Sequence, residues 1–410
     1  MFLDTLARRN PDLVRAAVSL HQAGAIPPNS YVLDLDAVRS NARLIKQAAD
    51  RAGLQVYPMT KQVGRNPLFV RAVARAGMPK LVCVDWMEAR LLARRSPGGL
   101  ARQKAQTRAS QSSIGHVGHL VQIPRREATA IASLAPEVWT VFNLQKAREA
   151  AEAAQQVGRA QDLLLRVVRP GDTFYPTHDG GFALEDIVSG AREIARYPSV
   201  RVVGVTSFPT LLFDPGKGSV YLTPNMETLR LAADRLRREL GLDITQINAP
   251  GTTSAETMQM LAEAGATHVE PGHGFTGTTP WHAYADLPEK PAVCYLTEVI
   301  DLRGDHAYVL GGGLYVDPVI PPYQVRALVG KDADRALTNI ADADLGSPAG
   351  IDYYGLLDRK SARVEIGDSV VFGFRAQAFV TRAHVAVVRG ISRRSPVVAG
   401  TYDVRGNKLS

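Results

Sequence analysis

The stretch Leu54-Gln55-Val56-Tyr57-Pro58-Met59-Thr60-Lys61, followed at once by Gln62-Val63-Gly64-Arg65-Asn66-Pro67, decides how this chain folds. Residues 54–60 have the apolar texture of an interior strand, and a lysine closes it. Parallel α/β barrels place their chemistry at the C-terminal ends of their strands. A lysine there can form a Schiff base with a carbonyl, which suggests an aldehyde cofactor or a carbonyl substrate. A solvated strand-end lysine is the plainer alternative, and the remaining sequence must separate the two.

From Leu54 onward, short β-rich runs alternate with helical patterns, the signature of βα units and a parallel sheet. The pattern predicts strands at 54–60, 80–85, 119–123, 138–142, 162–168, 201–206, 245–249 and 267–270. Eight is the number that closes a barrel. Helical periodicity falls over 144–156, 183–195, 227–240 and 255–264. The Ser-, Gln-, Arg- and Gly-rich stretch 98–118 reads as a long loop between the second and third strands. After Thr279 the alternation gives way to β-runs at 292–301, 306–310, 363–372 and 378–388, with 331–350 unassigned. The predicted fold is α/β: a (β/α)8 TIM barrel over 37–280 with a C-terminal, mostly β domain over 281–410. Residues 1–36 supply a helix and a strand near Ser30–Asp36, expected to pair with the C-terminal domain.

At 410 residues, 45% hydrophobic and 21% charged, the chain has the composition of a soluble globular protein, with no apolar run long enough to span a bilayer. Its N-terminus lacks the order of a secretory signal, and a cytoplasmic location is expected. Cys83 and Cys294 lie far apart in apolar runs, which supports neither a disulfide framework nor a zinc site. The net charge of +8 comes from arginines interspersed with acids, a pattern that argues against nucleic-acid binding.

Two loops bear on Lys61. After the seventh predicted strand comes Ala249-Pro250-Gly251-Thr252-Thr253-Ser254, and after the eighth Glu270-Pro271-Gly272-His273-Gly274-Phe275-Thr276-Gly277. Barrel enzymes often hold phosphate in the loops after these two strands. Glycines admit close backbone approach and threonine hydroxyls can donate, although either loop alone could be an ordinary turn. Together with Lys61 they point to a phosphate-bearing carbonyl cofactor, pyridoxal 5'-phosphate.

With these segments in place, the chain resembles the alanine-racemase-like, fold-type III pyridoxal-phosphate enzymes, most closely their YhfX-like branch. The resembling segments are Tyr31–Asp36, Met59–Pro67, Gly118–Pro124, Ala249–Ser254, Glu270–Gly274 and Gly311-Gly312-Gly313-Leu314-Tyr315, in the family's order. The resemblance implies a barrel that carries the cofactor and a homodimer whose sites are completed by the partner's β domain. It implies that Lys61 holds the cofactor and then serves as a base at the substrate α-carbon. It also implies an opposing tyrosine, best matched by Tyr315, with Tyr353 and Tyr354 as weaker candidates.

Glu270 separates the possible chemistries. Alanine racemases carry an arginine there facing the pyridine nitrogen, whereas decarboxylases of the same fold carry glutamate within Glu-Pro-Gly, as here. A carboxylate would favour a protonated pyridinium and a stronger electron sink. Arg65 stands where alanine racemases have a phosphate-binding tyrosine, and a guanidinium suits that anion. Ser207 replaces a histidine common in relatives. No HxC pair supports the metal site of the D-threonine aldolase branch, and Cys294 lies too early to match the decarboxylase cysteine.

His119, read as opening the third strand, and His273 are candidates to stack on or border the ring; His116 and His178 are read as loop residues. Arg166 is a candidate for the cofactor hydroxyl or a substrate carboxylate, with an interior ion pair as its alternative. Arg375 is a comparable candidate, and the loop 170–182 is expected to border the substrate. The cofactor-binding set is thus Lys61, Arg65, His119, Arg166, Gly251, Thr252, Thr253, Glu270, Gly272, His273 and Gly274, with no metal. The expected activity is amino-acid racemisation or epimerisation on a small-molecule substrate, an amino acid or related amine. A decarboxylase or lyase of the same fold, and a non-catalytic cofactor-homeostasis protein, are the alternatives.

Overall fold

The computed structural model describes residues 1–95, 113–315, 324–345 and 350–410. Eight parallel strands close a barrel in chain order: Gln55–Val56, Lys80–Val82, Ser113–Val117, Val138–Val141, Gln161–Val168, Val200–Thr206, Gln246–Asn248 and His268–Val269. The last pairs with the first through Val269 and Val56, and a parallel bridge between Met59 and Val82 shuts the remaining seam. Helices cover the outside, so strands such as Gln161–Val168 are buried on both faces and read as nearly continuous apolar runs.

The third strand departs from expectation. It is Ser113–Val117, inside the stretch read as a loop, and 119–123 is the connection that follows it. Gly118, at φ +75°, ends the strand. Packing explains its small and polar residues. A Cβ on Gly115 would lie 2.6 Å from the Tyr57 ring, and His116 points into the barrel at Glu270. The rest of the predicted loop, 98–112, lies outside the described residues.

The second domain is an antiparallel barrel. Strands Val293–Arg303, His306–Leu310, Tyr354–Asp358, Ile340–Asp344, Val325–Gly330 and Ser369–Phe372 pair in a ring that returns to Val293–Arg303. Of these, 325–330, 340–344 and 354–358 were missed by the sequence pattern, because they are short and half-exposed. The run 378–388 yields a turn at Ala378–Val380 before its strand, His384–Arg389.

Ser30–Asp34 extends this sheet, antiparallel to Val293–Arg303 and parallel to His384–Arg389. Helices Phe2–Arg9 and Pro11–Gln22 pack beneath it, burying Leu6, Leu13, Val14 and Val18 against Val32, Leu296, Val371 and Ala386. Asp34 ends the strand and caps the next helix, Leu35–Arg51, by accepting from the backbone N–H groups of Asp36 and Ala37. One residue therefore joins the second domain's sheet to the first helix of the large barrel. Among the described residues, no helix is long and apolar enough to cross a membrane.

Candidate active site

Lys61 does not close a seven-residue strand. The ladder covers only Gln55–Val56, and Lys61 begins a 3-10 turn, Lys61–Val63, at the C-terminal mouth of the barrel. Gly64, left-handed at φ +61°, ends that turn. Buried Glu88 fixes its base: one oxygen accepts from the Thr60 hydroxyl (2.8 Å) and from Arg65 Nε (3.2 Å), the other from the backbone N–H of Val84 (2.7 Å). The Gln62 amide donates to the carbonyls of Met59 (2.9 Å) and Gly272 (3.0 Å), tying the turn to the loop after the eighth strand. Phe379, from the second domain, lies 5.4 Å from Lys61 Nζ and 5.1 Å from the Arg65 guanidinium.

Glu270, at the end of the eighth strand, forms the cleft floor. Its Oε1 accepts from Asn248 (2.8 Å) and lies 2.5 Å from His116 Nδ1, while His116 Nε2 is 2.6 Å from the Thr140 hydroxyl. A carboxylate only accepts, so Nδ1 carries hydrogen toward Glu270, and a neutral ring accepts from Thr140 at Nε2. His119 Nε2 stands 3.4 Å from the other oxygen, Oε2.

Burial alone would raise the Glu270 carboxyl, but His119, His116 and the hydrogen bonds from His116 and Asn248 outweigh it and hold it down to about 2. Burial also drives the His119 imidazole down to about 3, against the pull of Glu270. Near neutral pH the His119 ring is therefore uncharged; its pull on Glu270 belongs to the acid range where the two titrate together, and above that range the hydrogen bonds from His116 and Asn248 hold the carboxylate. The ligand atoms of His116, His119 and Glu270 lie within 4.8 Å of one another, a metal-capable grouping, but His116 and Glu270 are turned toward each other in a hydrogen bond.

Around this floor one cleft is lined by Lys61, Gln62, His119, Gly251, Thr252, Thr253, Glu270, Gly272, His273, Thr279 and Arg375, with Met59, Leu120 and Phe208 as its apolar wall. Its two glycine loops pack against each other and against a hairpin, Leu211–Asp214 with Ser219–Leu222, that follows the sixth strand. A Cβ on Gly251 would lie 2.7 Å from the Leu211 backbone, and one on Gly274 2.7 Å from the Thr253 carbonyl oxygen. Glycine is required at both positions by close approach. Burial and then the Arg375 charge push the His273 imidazole well below its ordinary range, so it too is neutral.

The model of the alanine racemase N-terminal domain matches residues 33–280, and that of the YhfX-like C-terminal domain matches 294–398. A protein of Escherichia coli (strain K12), described as uncharacterized protein YhfX, is 39% identical over the full length of both chains. The chain belongs to the YhfX-like branch of the alanine racemase family. Among solved structures, D-threonine aldolase from Filomicrobium marinum is similar at a TM-score of 0.64 with 15% identity, over 93% of this chain and 96% of that one. An alanine racemase of Clostridium difficile 630, in complex with cycloserine, gives 0.57 with 14% identity, over 92% and 98%. At such identities these two likenesses show the fold, a barrel with a C-terminal β domain.

Members of this family generally bind pyridoxal phosphate, and the cleft fits that group. Buried polar atoms without a hydrogen-bond partner cluster there: Glu270 Oε2, His119 Nδ1, Gln62 Oε1 and His273 Nε2. A phosphate-bearing, nitrogen-containing ring supplies partners of both kinds, and the glycines leave it room. The backbone N–H groups of Thr252 and Thr253 already donate to Leu211 and Gly251, and the Thr253 hydroxyl donates to the Gly251 carbonyl at 3.3 Å, which leaves the Thr252 hydroxyl and the second loop to meet an anion.

Three expected residues lie elsewhere. Arg65 is outside the cleft lining; its guanidinium pairs with Glu88 and stacks on Phe379, so it braces the Lys61 turn instead of facing a phosphate. Arg166 is buried behind the cleft, donating to the carbonyls of His119, His178 and Phe208 and lying 4.8 Å from the Phe142 ring. Burial lowers it to about 10, with the Asp179 charge opposing. It holds the 170–182 loop by backbone contacts, and among the described residues no carboxylate pairs with it. Tyr315 is exposed on the second domain and does not line its own chain's cleft.

Sequence reasoning missed Gln62, Asn248 and Thr279 and misplaced His116 and His119. His116 is inside the third strand, and His119 is in the connection beyond it. For Asn248, a polar residue inside the short apolar strand Gln246–Asn248 was the available signal.

Proposed function

We propose that the protein is a pyridoxal-phosphate-dependent amino-acid racemase or epimerase. The observation that carries this reading is the convergence of Lys61, ionised Glu270 and both glycine loops on one cleft. Bound there, the cofactor supplies a carbonyl that takes up an amine and a ring that withdraws electrons from the α-carbon. The Lys61 amine would hold the carbonyl end, Glu270 the pyridine nitrogen, and the two loops with Arg375 the phosphate, with His119 flanking the ring. Lys61 then removes or returns a proton at the substrate α-carbon. The apolar wall of Met59, Leu120 and Phe208 excludes water from that proton.

A second proton-transfer group is needed on the opposite side for inversion. Tyr315, exposed on the β domain, is proposed to enter the cleft of a second copy, which makes the protein a homodimer. Light scattering is expected to give the mass of two chains; the mass of one would remove Tyr315 from this role.

A lyase reading, decarboxylation or carbon–carbon cleavage, is favoured by the carboxylate at 270, which supports a strong electron sink. Incubation of the loaded protein with single enantiomers of amino acids in deuterium oxide separates the two. Racemisation is expected to place deuterium at the α-carbon of both enantiomers. Release of carbon dioxide or an aldehyde without such exchange would replace racemase by lyase.

A further inference from the structure

Behind the cleft, two residues with no part in the chemistry above join the glycine loops. Glu289 is fully buried, and its Oε1 accepts from the backbone N–H of Ala255 (2.6 Å), the residue directly after the loop 250–254. Its Oε2 lies 3.4 Å from His282 Nε2. Across that ring, His282 Nδ1 accepts from the backbone N–H of Thr279 (3.2 Å) and faces the Thr279 hydroxyl at 2.7 Å. A backbone N–H can only donate, so Nδ1 is unprotonated and a neutral ring carries its hydrogen on Nε2, on the Glu289 side. Nε2 and Glu289 Oε2 face each other at 3.4 Å as an electrostatic contact, and neither atom has a hydrogen-bond partner. Thr279 lines the cleft just beyond the second loop, 271–277, whereas His282 and Glu289 do not reach it. From there Thr278 Oγ1 continues to His273 Nδ1 at 3.4 Å. A path through buried groups, hydrogen-bonded at Ala255–Glu289 and His282–Thr279 and electrostatic between them, thus joins the two loops.

We propose that Glu289 and His282 are positioning residues that fix the spacing of the two glycine loops so that both can meet one phosphate group. This rests on the pyridoxal-phosphate reading above and goes further by assigning phosphate recognition to a buried brace outside the cleft. The Glu289 charge selects the His282 tautomer, and that tautomer holds Thr279. Glu289→Gln keeps an acceptor for Ala255 but turns an amide N–H₂ toward Nε2–H. The ring must then shift its hydrogen to Nδ1, where it no longer accepts from Thr279.

The test compares equilibrium binding of pyridoxal 5'-phosphate and of pyridoxal, which lacks the phosphate, to the full-length wild-type, Glu289→Gln, His282→Ala and His282→Gln proteins. Folding is checked by circular dichroism. Glu289→Gln and His282→Ala are expected to weaken pyridoxal 5'-phosphate at least about tenfold, the equivalent of one hydrogen-bonded brace. Pyridoxal affinity is expected to change by less than about threefold. His282→Gln, which restores a donor toward Glu289 and an acceptor toward Thr279, is expected to fall between His282→Ala and wild type. Equal losses for both aldehydes, or no loss in Glu289→Gln, would overturn the brace. A wild-type protein that does not prefer the phosphorylated aldehyde would instead remove the cofactor reading itself.

Discussion

Lys61→Ala is expected to lower turnover by at least roughly 10²–10⁴-fold, the range associated with a positioned proton-transfer group. Loss of the covalent anchor for the cofactor adds to that. The fold should survive, because the turn is held by Glu88, Gln62 and Gly64 and not by the lysine side chain. The variant loses, among its contacts, the one between Lys61 and Phe379, worth about 0.5–1 kcal/mol for a cation near an aromatic face. Visible absorbance of the cofactor-treated protein, with a thermal melt alongside, reads both effects. A variant that keeps the absorbance and the activity of wild type would remove Lys61 from the chemistry altogether.

Glu270→Gln is expected to be the second most damaging change at the site, and it acts on stability as well as rate. The carboxyl is held down to about 2 in the folded chain, against an ordinary value of 4.5. A group whose folded value is depressed contributes stability that is fully present above its unfolded value and lost as pH falls through the folded one. Wild-type protein should therefore lose on the order of 3 kcal/mol from this group between about pH 4.5 and pH 2. Glu270→Gln should lose that component of the pH dependence. Glu270→Ala should be less stable still, by about 1–3 kcal/mol for each buried donor, His116 and Asn248, left without its partner. Turnover in Glu270→Gln should fall by about 10²–10³-fold, as when a charge-stabilising group is removed from a closed site. Denaturant melts across that pH range check the first claim; superimposable wild-type and Glu270→Gln curves would refute it.

The large barrel was legible because its strands are wrapped by helices and so are apolar throughout, as in residues 162–168. The third strand was not, because packing there demanded the opposite texture. Tyr57 leaves room for nothing beyond Gly115, and Glu270 needs His116, so a buried strand resembles a polar loop. The same logic governs the site. Lys61, Glu270 and the two glycine loops could be found because each sits at a strand end, where position alone announces chemistry. Arg65 looked like a phosphate ligand from its distance to Lys61 along the chain, but Glu88, distant in sequence, takes its guanidinium. Arg375 was named as a candidate and does line the cleft, whereas Phe379, which reaches Lys61 from the same domain, was not foreseen, because no local pattern encodes a contact between domains. His282 and Glu289 were invisible for the same reason: their meaning lies in the tautomer their partners impose.

The strand Ser30–Asp34 has a consequence for how the molecule is made. Val32 lies between Cys294 and Ala386, so a strand made early waits for neighbours that are made long after it. The large barrel can assemble while translation continues, but Ser30–Asp34 completes its pairing only after His384–Arg389 has been made. Such long-range pairing is slow and leaves strand edges open in the interval. Chains halted before about residue 390 should therefore persist with a folded barrel, an unpaired N-terminal strand and a tendency to aggregate. The cleft, which takes Arg375 from the second domain, becomes whole only once that domain has joined a barrel made well before it.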